Sequence, residues 1–406
     1  MGNVQISMTQ SVLLNLIGHS LFEMPLALPD GIDWRAVLRE CDVQSVALVA
    51  LKNHSALPIG EELKGSLKAY LKKCTVANIN CINGHKHLHK LMSDGGVRYC
   101  ILKGTASAAY YPDPLLRNMG DVDFYVSPDD YERAKDVLLA DGFELVGDEE
   151  LLHHVTFKKA TMYLELHVSP IAVPNEDMRP IYNEYWSDII EKSEVCADAL
   201  GTYVLPSQFH HGFVILTHFQ IHLVTYGIGL RHLCDLAVFF NSFDGEEFSD
   251  LFESRLRRVG LWRLAQALAL ASVKYLGMPH RAWMGDEYDI ADALLEDILR
   301  GGNFGKGADT DRHREVMFVS RSESGVVRRS RIRTMVGYVN KRIRSNWPRA
   351  EKCPILYPIG WIYFPIRFVI RLIFGRVRTN VIRSYKHSGE RIDLYSSLRL
   401  FEPDED

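Results

Sequence analysis

Gly120-Asp121-Val122-Asp123-Phe124-Tyr125-Val126 is the stretch on which the fold turns. Its apolar residues lie between two turn signals, Gly120-Asp121 and Ser127-Pro128, and so predict a strand over Val122 to Val126. Side chains alternate across a strand, so Asp121 and Asp123 fall on the same side, their carboxylates a few ångströms apart. Two like charges that close are costly unless a cation sits between them, and a hard divalent ion such as Mg²⁺ suits oxygen ligands. A D-x-D pair at a strand edge can also be simply solvated.

Upstream, the apolar run Val97 to Leu102 predicts a buried strand that stops at Lys103-Gly104-Thr105. A short helix over Thr105 to Tyr110 follows, ended by Pro112 and Pro114. A glycine between strand and helix is either an ordinary turn or a place where backbone N–H groups approach phosphate. Downstream, Ser127 is expected to cap a helix over Pro128 to Asp141, with Gly142 just past its end. Phe143 to Val146, Val155 to Lys158 and Met162 to Val168 then predict successive strands. The last contains Tyr163-Leu164-Glu165-Leu166-His167, in which one acid stands among apolar neighbours. Such an acid needs a partner, which is a salt bridge, a strand-end position or a shared cation.

The flanks are helical. Val12 to Ile17, Ser45 to Lys52 and Leu63 to Leu91 carry apolar residues at helical spacing, interrupted at Pro58-Ile59-Gly60 and ended at Asp94-Gly95-Gly96. Beyond Pro206, helices are expected over Ser207 to Tyr226, Leu230 to Phe240, Phe248 to Leu276 and Ala291 to Leu299, with Asn303 to Arg333 as loop or linker. The expected fold class is α/β (α+β): a mixed-sheet core with helical regions on both sides. Its divisions are 1–94 (N-terminal helical region), 95–205 (core), 206–311 (helical domain) and 312–406 (basic extension).

Composition sets outer bounds. At 406 residues, 47% hydrophobic and 24% charged, the chain has globular character, which excludes wholesale disorder and a fibrous protein. The net charge of −4 gives no overall basicity toward nucleic acid. Between Arg312 and Arg391, however, 19 Lys/Arg face 4 Asp/Glu, leaving −19 on the rest. So much like charge wants an anionic taker: the acidic remainder of the chain, a membrane surface or RNA. Seven cysteines, an odd number without a C-x-x-C pair, read as reduced thiols of a cytoplasmic protein. The first twenty residues lack the Lys or Arg that starts a signal peptide. The longest uncharged apolar run, Cys353 to Ile366, is 14 residues with three prolines, too short to span a bilayer.

Taken together, Leu102-Lys103-Gly104, Tyr111-Pro112, Arg117, Asp121-Val122-Asp123, Glu165-Leu166-His167, His218, His222 and Leu230-Arg231 with Asp235 occur in the order of a known pattern. The chain resembles the DNA polymerase beta-like nucleotidyltransferase superfamily, and within it a bacterial branch of uncharacterised nucleotidyltransferase-like proteins often met near polysaccharide genes. The similarity extends into Gly301-Gly302-Asn303-Phe304-Gly305 and the segment from Tyr357-Pro358 to Arg371. There are two departures: Thr105 stands where serine is commonest, and fifteen residues separate Thr105 from Asp121. The resemblance implies a nucleotidyltransferase-type sheet and transfer of NMP from an NTP donor to a hydroxyl acceptor, with release of pyrophosphate. It implies Mg²⁺ or Mn²⁺ held by Asp121, Asp123 and Glu165, and phosphates gripped by Gly104 and Thr105 with positive charge from Lys103 and Arg117. Removing one clustered charge, as in Asp123→Asn, is then expected to abolish metal binding while metal-free stability holds or rises.

Other features keep more than one meaning. His211, His218 and His222 share a helix face, where they are a zinc set, a satisfied polar core or substrate contacts. Arg231 and Asp235 read as an i,i+4 pair. The aromatic, basic segment Tyr357 to Phe374 either lies on an anionic membrane through 353–378 or packs onto the body, and its prolines favour packing. The rival functions are an RNA-directed, toxin-like transferase and a non-catalytic scaffold of polysaccharide assembly.

Overall fold

The computed structural model describes residues 6–146, 154–173, 178–198, 200–307, 355–373 and 381–403, with isolated residues between 336 and 353. At its centre is a five-stranded mixed sheet. Strand β1 (Tyr99–Ile101) lies antiparallel to β2 (Val122–Val126), and β2 runs parallel to β5 (Met162–His167). The sheet continues antiparallel through β4 (His154–Lys159) to β3 (Glu144–Val146). A separate hairpin, β6 (Glu194–Asp198) with β7 (Gly201–Leu205), was not expected from the sequence, because β6 is mostly exposed, β7 mostly half-buried, and neither gives a clean alternation.

Alternation along β2 divides the interior. Val122, Phe124 and Val126 pack with Leu164 and Leu166 into one core, beneath the long helix α4 (Glu61–Asp94). Gly84 lets that helix lie close, since a Cβ there would stand 3.2 Å from Val122 Cγ2. The opposite face carries Asp123, Tyr125, Glu165 and His167, and it looks toward a helical layer. A second, larger core lies in that layer. It joins N-terminal helices α1 (Met8–Phe22), α2 (Trp34–Gln44) and α3 (Ala47–Ala50) to α8 (Gln208–Val224), α9 (Leu230–Asn241), α10 (Glu247–Arg258), α11 (Trp262–Leu276) and α12 (Tyr288–Gly301). The buried Gln44 side chain ties three of these together: its Oε1 accepts from Leu230 N at 3.0 Å and its Nε2 donates to Leu299 O at 3.0 Å. Between these elements lie α5 (Thr105–Ala108), α6 (Tyr131–Ala140) and α7 (Arg179–Trp186).

Three local expectations change. The helix expected over Phe248 to Leu276 is two, α10 and α11, broken at Gly260 (φ +64°), where the terminal segment crosses so closely that a Cβ would stand 2.7 Å from Glu402 N. Apolar periodicity continues on both sides of the break and so hides it. The helix at Pro128 starts as a 3₁₀ turn over Pro128–Asp130, and Ser127 Oγ meets Asp130 Oδ2 at 3.2 Å instead of capping a backbone N–H. Pro358 and Pro365 of the 353–366 run fall within a helix that spans Leu356–Ile373 continuously, while Pro354 lies outside the described residues. Pro358 lies in the first turn, where its missing N–H costs nothing.

Part of the basic extension docks on the body. In the last helix, Val381–Ser397, Arg391 is 1% exposed and donates to Leu223 O at 2.9 Å, while Tyr395 OH donates to the same carbonyl at 2.7 Å. The linker expected at Asn303 to Arg333 begins with a 3₁₀ turn over Asn303–Gly305, and from residue 308 it lies outside the described residues. No helix among the described residues is long and apolar enough to cross a membrane.

Candidate active site

Parallel pairing of β2 with β5 sets Asp123 directly beside Glu165. Asp121 precedes β2 on the same side, and Asp121 and Asp123 both line a cleft of about 190 Å³ between the sheet and helices α8 and α9. Glu165 sits one strand further on, half-buried, between Asp123 and Thr156. Burial, reinforced by the charges of Asp123 and Asp121, pushes its carboxyl up to about 8. Asp123 is 3% exposed, yet its carboxyl is held well below the usual range. Burial alone would raise it; Lys103 Nζ at 2.8 Å and His167 Nε2, donating at 3.0 Å, overcome that cost. Lys103, which the sequence left open to face phosphate or solvent or to pair with an acid, is the counter-charge of Asp123, so losing this carboxylate would strand Lys103 at a mostly buried site.

A hard divalent cation fits this donor set. Asp123 stands beside Glu165 with Asp121 at the same side of the sheet, and burial together with these two neighbouring charges raises the Glu165 carboxyl to about 8. Nitrogen donors stand beside them. His154, Glu165 and His167 present ligand atoms within 4.8 Å of one another, and His154 Nε2 lies 3.5 Å from Glu165 Oε2. Carboxylate oxygens suit Mg²⁺ and Mn²⁺, and imidazoles extend the range of suitable ions toward Zn²⁺ or Fe²⁺.

Gly104 lines the cleft with φ +65°, and a Cβ there would stand 2.9 Å from His85 Nε2. Glycine is therefore required both by the turn and by the close approach. Thr105 is turned away: it is fully buried, with its hydroxyl 3.4 Å from His85 Nδ1. Burial lowers His85 to about 3, so it stands as a neutral ring under the turn.

Arg117 and Asp235, separate motifs in the sequence, meet here. Arg117 Nε and Nη2 each donate at 2.8 Å to the two oxygens of Asp235, and Tyr111 OH donates to Oδ1 at 2.8 Å. The i,i+4 partnership expected for Arg231 and Asp235 is thus replaced by one across elements. Asn78 of α4 fixes the loop bearing Arg117: its Nδ2 donates to Leu115 O and Arg117 O, and its Oδ1 accepts from Met119 N. An asparagine within an amphipathic helix gives no sequence signal of such a role.

Arg231 is left as a cleft cation. Among the described residues no carboxylate pairs with it; its Nη1 reaches Asn118 O at 3.4 Å and its guanidinium lies 5.7 Å from the Phe304 ring centre. The expected histidine face divides. His211 stacks on Tyr110 at 5.3 Å, apart from the others, whereas His218 meets His222 at 4.2 Å and His232 at 5.7 Å between ring centres. His232 is 7% exposed, lines the cleft and has neither ring nitrogen hydrogen-bonded. Its lowered pKa, caused by burial and then by Arg231, keeps it neutral.

No curated protein matches the chain. A family model described as "Uncharacterised nucleotidyltransferase" matches residues 30–277. That span holds the Gly104 turn, all three acids, the Arg117–Asp235 fork and Arg231. With more than half of its length so matched, the chain belongs to the uncharacterised nucleotidyltransferase family.

Proposed function

We propose that the protein transfers a nucleoside monophosphate from an NTP to a hydroxyl on a small molecule, sugar or peptide. A bond forms between the acceptor oxygen and the α-phosphorus, the bond to the bridging oxygen breaks, and pyrophosphate leaves. The observation that carries this reading is the facing pair Asp123 and Glu165, with Asp121 beside them at a cleft that also holds Lys103 and Arg231. Asp121, Asp123 and Glu165 would hold Mg²⁺ or Mn²⁺, which when bound activates the acceptor hydroxyl and neutralises the triphosphate. Lys103 balances Asp123 and brings positive charge to the cleft floor. Arg231 faces the triphosphate as a fork donor, a role better suited to it than to Arg117, whose donors Asp235 occupies. Gly104 admits phosphate close to the backbone, and Thr105 supports that turn from beneath. The cleft is roofed by α8 and α9, which limits water at the reacting phosphorus.

The test is incubation with each NTP, labelled at the α-phosphate and in parallel at the γ-phosphate, with Mg²⁺ or Mn²⁺ and fractionated cell extract. The α-label should enter an acceptor with stoichiometric pyrophosphate, and Asp123→Asn should abolish both. Transfer of γ-label, or equal activity in the variant, would refute the reading.

A further inference from the structure

The helix Leu356–Ile373 turns one apolar face outward. Ile355, Ile359, Ile362, Ile366 and Ile370 are 69%, 51%, 64%, 53% and 48% exposed. Their steps of four, three, four and four residues place all five on one side of a 3.6-residue turn. The other side is already packed. A Cβ on Gly360 would stand 2.6 Å from Ile343 Cγ1, Phe364 lies 5.3 Å from Trp347 between ring centres, and Trp361 Nε1 donates to Asn340 Oδ1 at 2.8 Å. Among the described residues, then, the stripe is left exposed while Gly360, Trp361 and Phe364 on the other side are packed.

We infer that this helix docks the protein on an anionic bilayer surface, lying in the interface with the isoleucine stripe among the acyl chains. Charge selects that occupant. The segment Arg312 to Arg391 carries 19 Lys/Arg against 4 Asp/Glu, and no Asp or Glu occurs between Glu351 and Glu390. Arg367 is exposed at the stripe's border, its guanidinium 5.8 Å from the Tyr363 ring centre. An apolar stripe within a basic, acid-free segment is the pattern of an interfacial helix on anionic lipid. A second copy of the chain would bring two such basic segments together and repel. RNA would use the arginines and leave the isoleucines in water. No helix among the described residues is long and apolar enough to cross a membrane, and Arg367 and Arg371 within this one suit a place at the interface.

Vesicle flotation of the full-length protein tests this, with phosphatidylcholine alone and with phosphatidylglycerol added. Binding should require the anionic lipid and weaken with salt. Ile362→Asp with Ile366→Asp should lower the partition coefficient roughly tenfold or more, as two buried side chains become charged. Both positions are exposed, so the melting temperature should not change. The milder pair Ile359→Ser with Ile370→Ser should weaken binding in the same direction. Failure to float with either vesicle, or equal flotation of variants and parent, would overturn the inference. So would a dimer in light scattering that the Asp pair converts to monomer, which would assign the stripe to a second copy. Binding of tRNA that survives both isoleucine pairs, without vesicle binding, would overturn it in favour of nucleic acid.

Discussion

Arg117 and Asp235 form a two-point fork at 2.8 Å, both side chains 6% exposed, and this fork fastens the loop before β2 to helix α9. Breaking one side of such a buried pair leaves a desolvated charge. Arg117→Ala or Asp235→Ala should therefore cost about 3–5 kcal/mol in urea unfolding. Replacing both, Arg117→Met with Asp235→Leu, should recover most of that loss. A double variant no better than the singles would show that the fork's geometry, rather than its stranded charge, dominates.

The two facing acids should respond in opposite directions. Glu165 is held with its carboxyl raised by burial and by its acidic neighbours, so Glu165→Gln should stabilise the metal-free protein by about 1 kcal/mol. Asp123 is held by Lys103 and His167, so Asp123→Asn should destabilise it by about 1–3 kcal/mol. Melting curves in chelator read both. Added Mn²⁺ should raise the melting temperature of the parent and of neither variant.

Arg231 separates binding from stability. Its guanidinium is desolvated and, among the described residues, no carboxylate forms an ion pair with it, so Arg231→Met should leave the melting temperature unchanged or higher. If it holds the triphosphate, NTP affinity should fall roughly ten- to hundredfold by titration calorimetry. Unchanged affinity would move the triphosphate away from α9.

Acid sensitivity should trace to buried neutral histidines. Burial lowers His211 from its ordinary value of 6.5 to about 3, and His85 likewise to about 3. As pH falls through 6.5 toward 3, the unfolded chain takes up protons that the native one refuses. Stability present above the unfolded value is thus lost on acidification, by up to about 1.4 kcal/mol per pH unit for each ring. His211→Phe, which keeps the stack on Tyr110, should flatten the fall in melting temperature between about pH 6.5 and about pH 4. An unchanged acid limb would place the sensitivity elsewhere.

The strands of the sheet were legible because their signals are local: apolar runs cut off by Gly, Pro and Asp. The alignment of Asp121 with Asp123 follows from alternation alone, and the pairing of Asp123 with Glu165 only from the parallel register. What escaped was decided across elements. Arg231 looked spent on Asp235 because four residues make helical neighbours, but Asp235 is claimed by an arginine 118 residues earlier. Thr105 carries a hydroxyl suited to phosphate, but the helix packed beneath presents His85 to it. No window of sequence shows that Asn78 splints a loop some 40 residues away, or that Gly260 is crossed by the terminal segment.

The parallel joining of β2 to β5 also bears on when the acidic centre comes into being. β4 and β5 form a hairpin around Ala160 and Thr161, a local contact that closes fast, whereas Asp123 must be brought to a strand whose His167 lies 44 residues on. Until that closure the carboxylates are apart, and a divalent ion would find no cage. A divalent cation should accordingly leave the refolding rate almost untouched and act on the way out, slowing escape from the finished state. Loaded protein would then outlast stripped protein under proteolysis or heat by kinetic persistence, although both fold at the same pace.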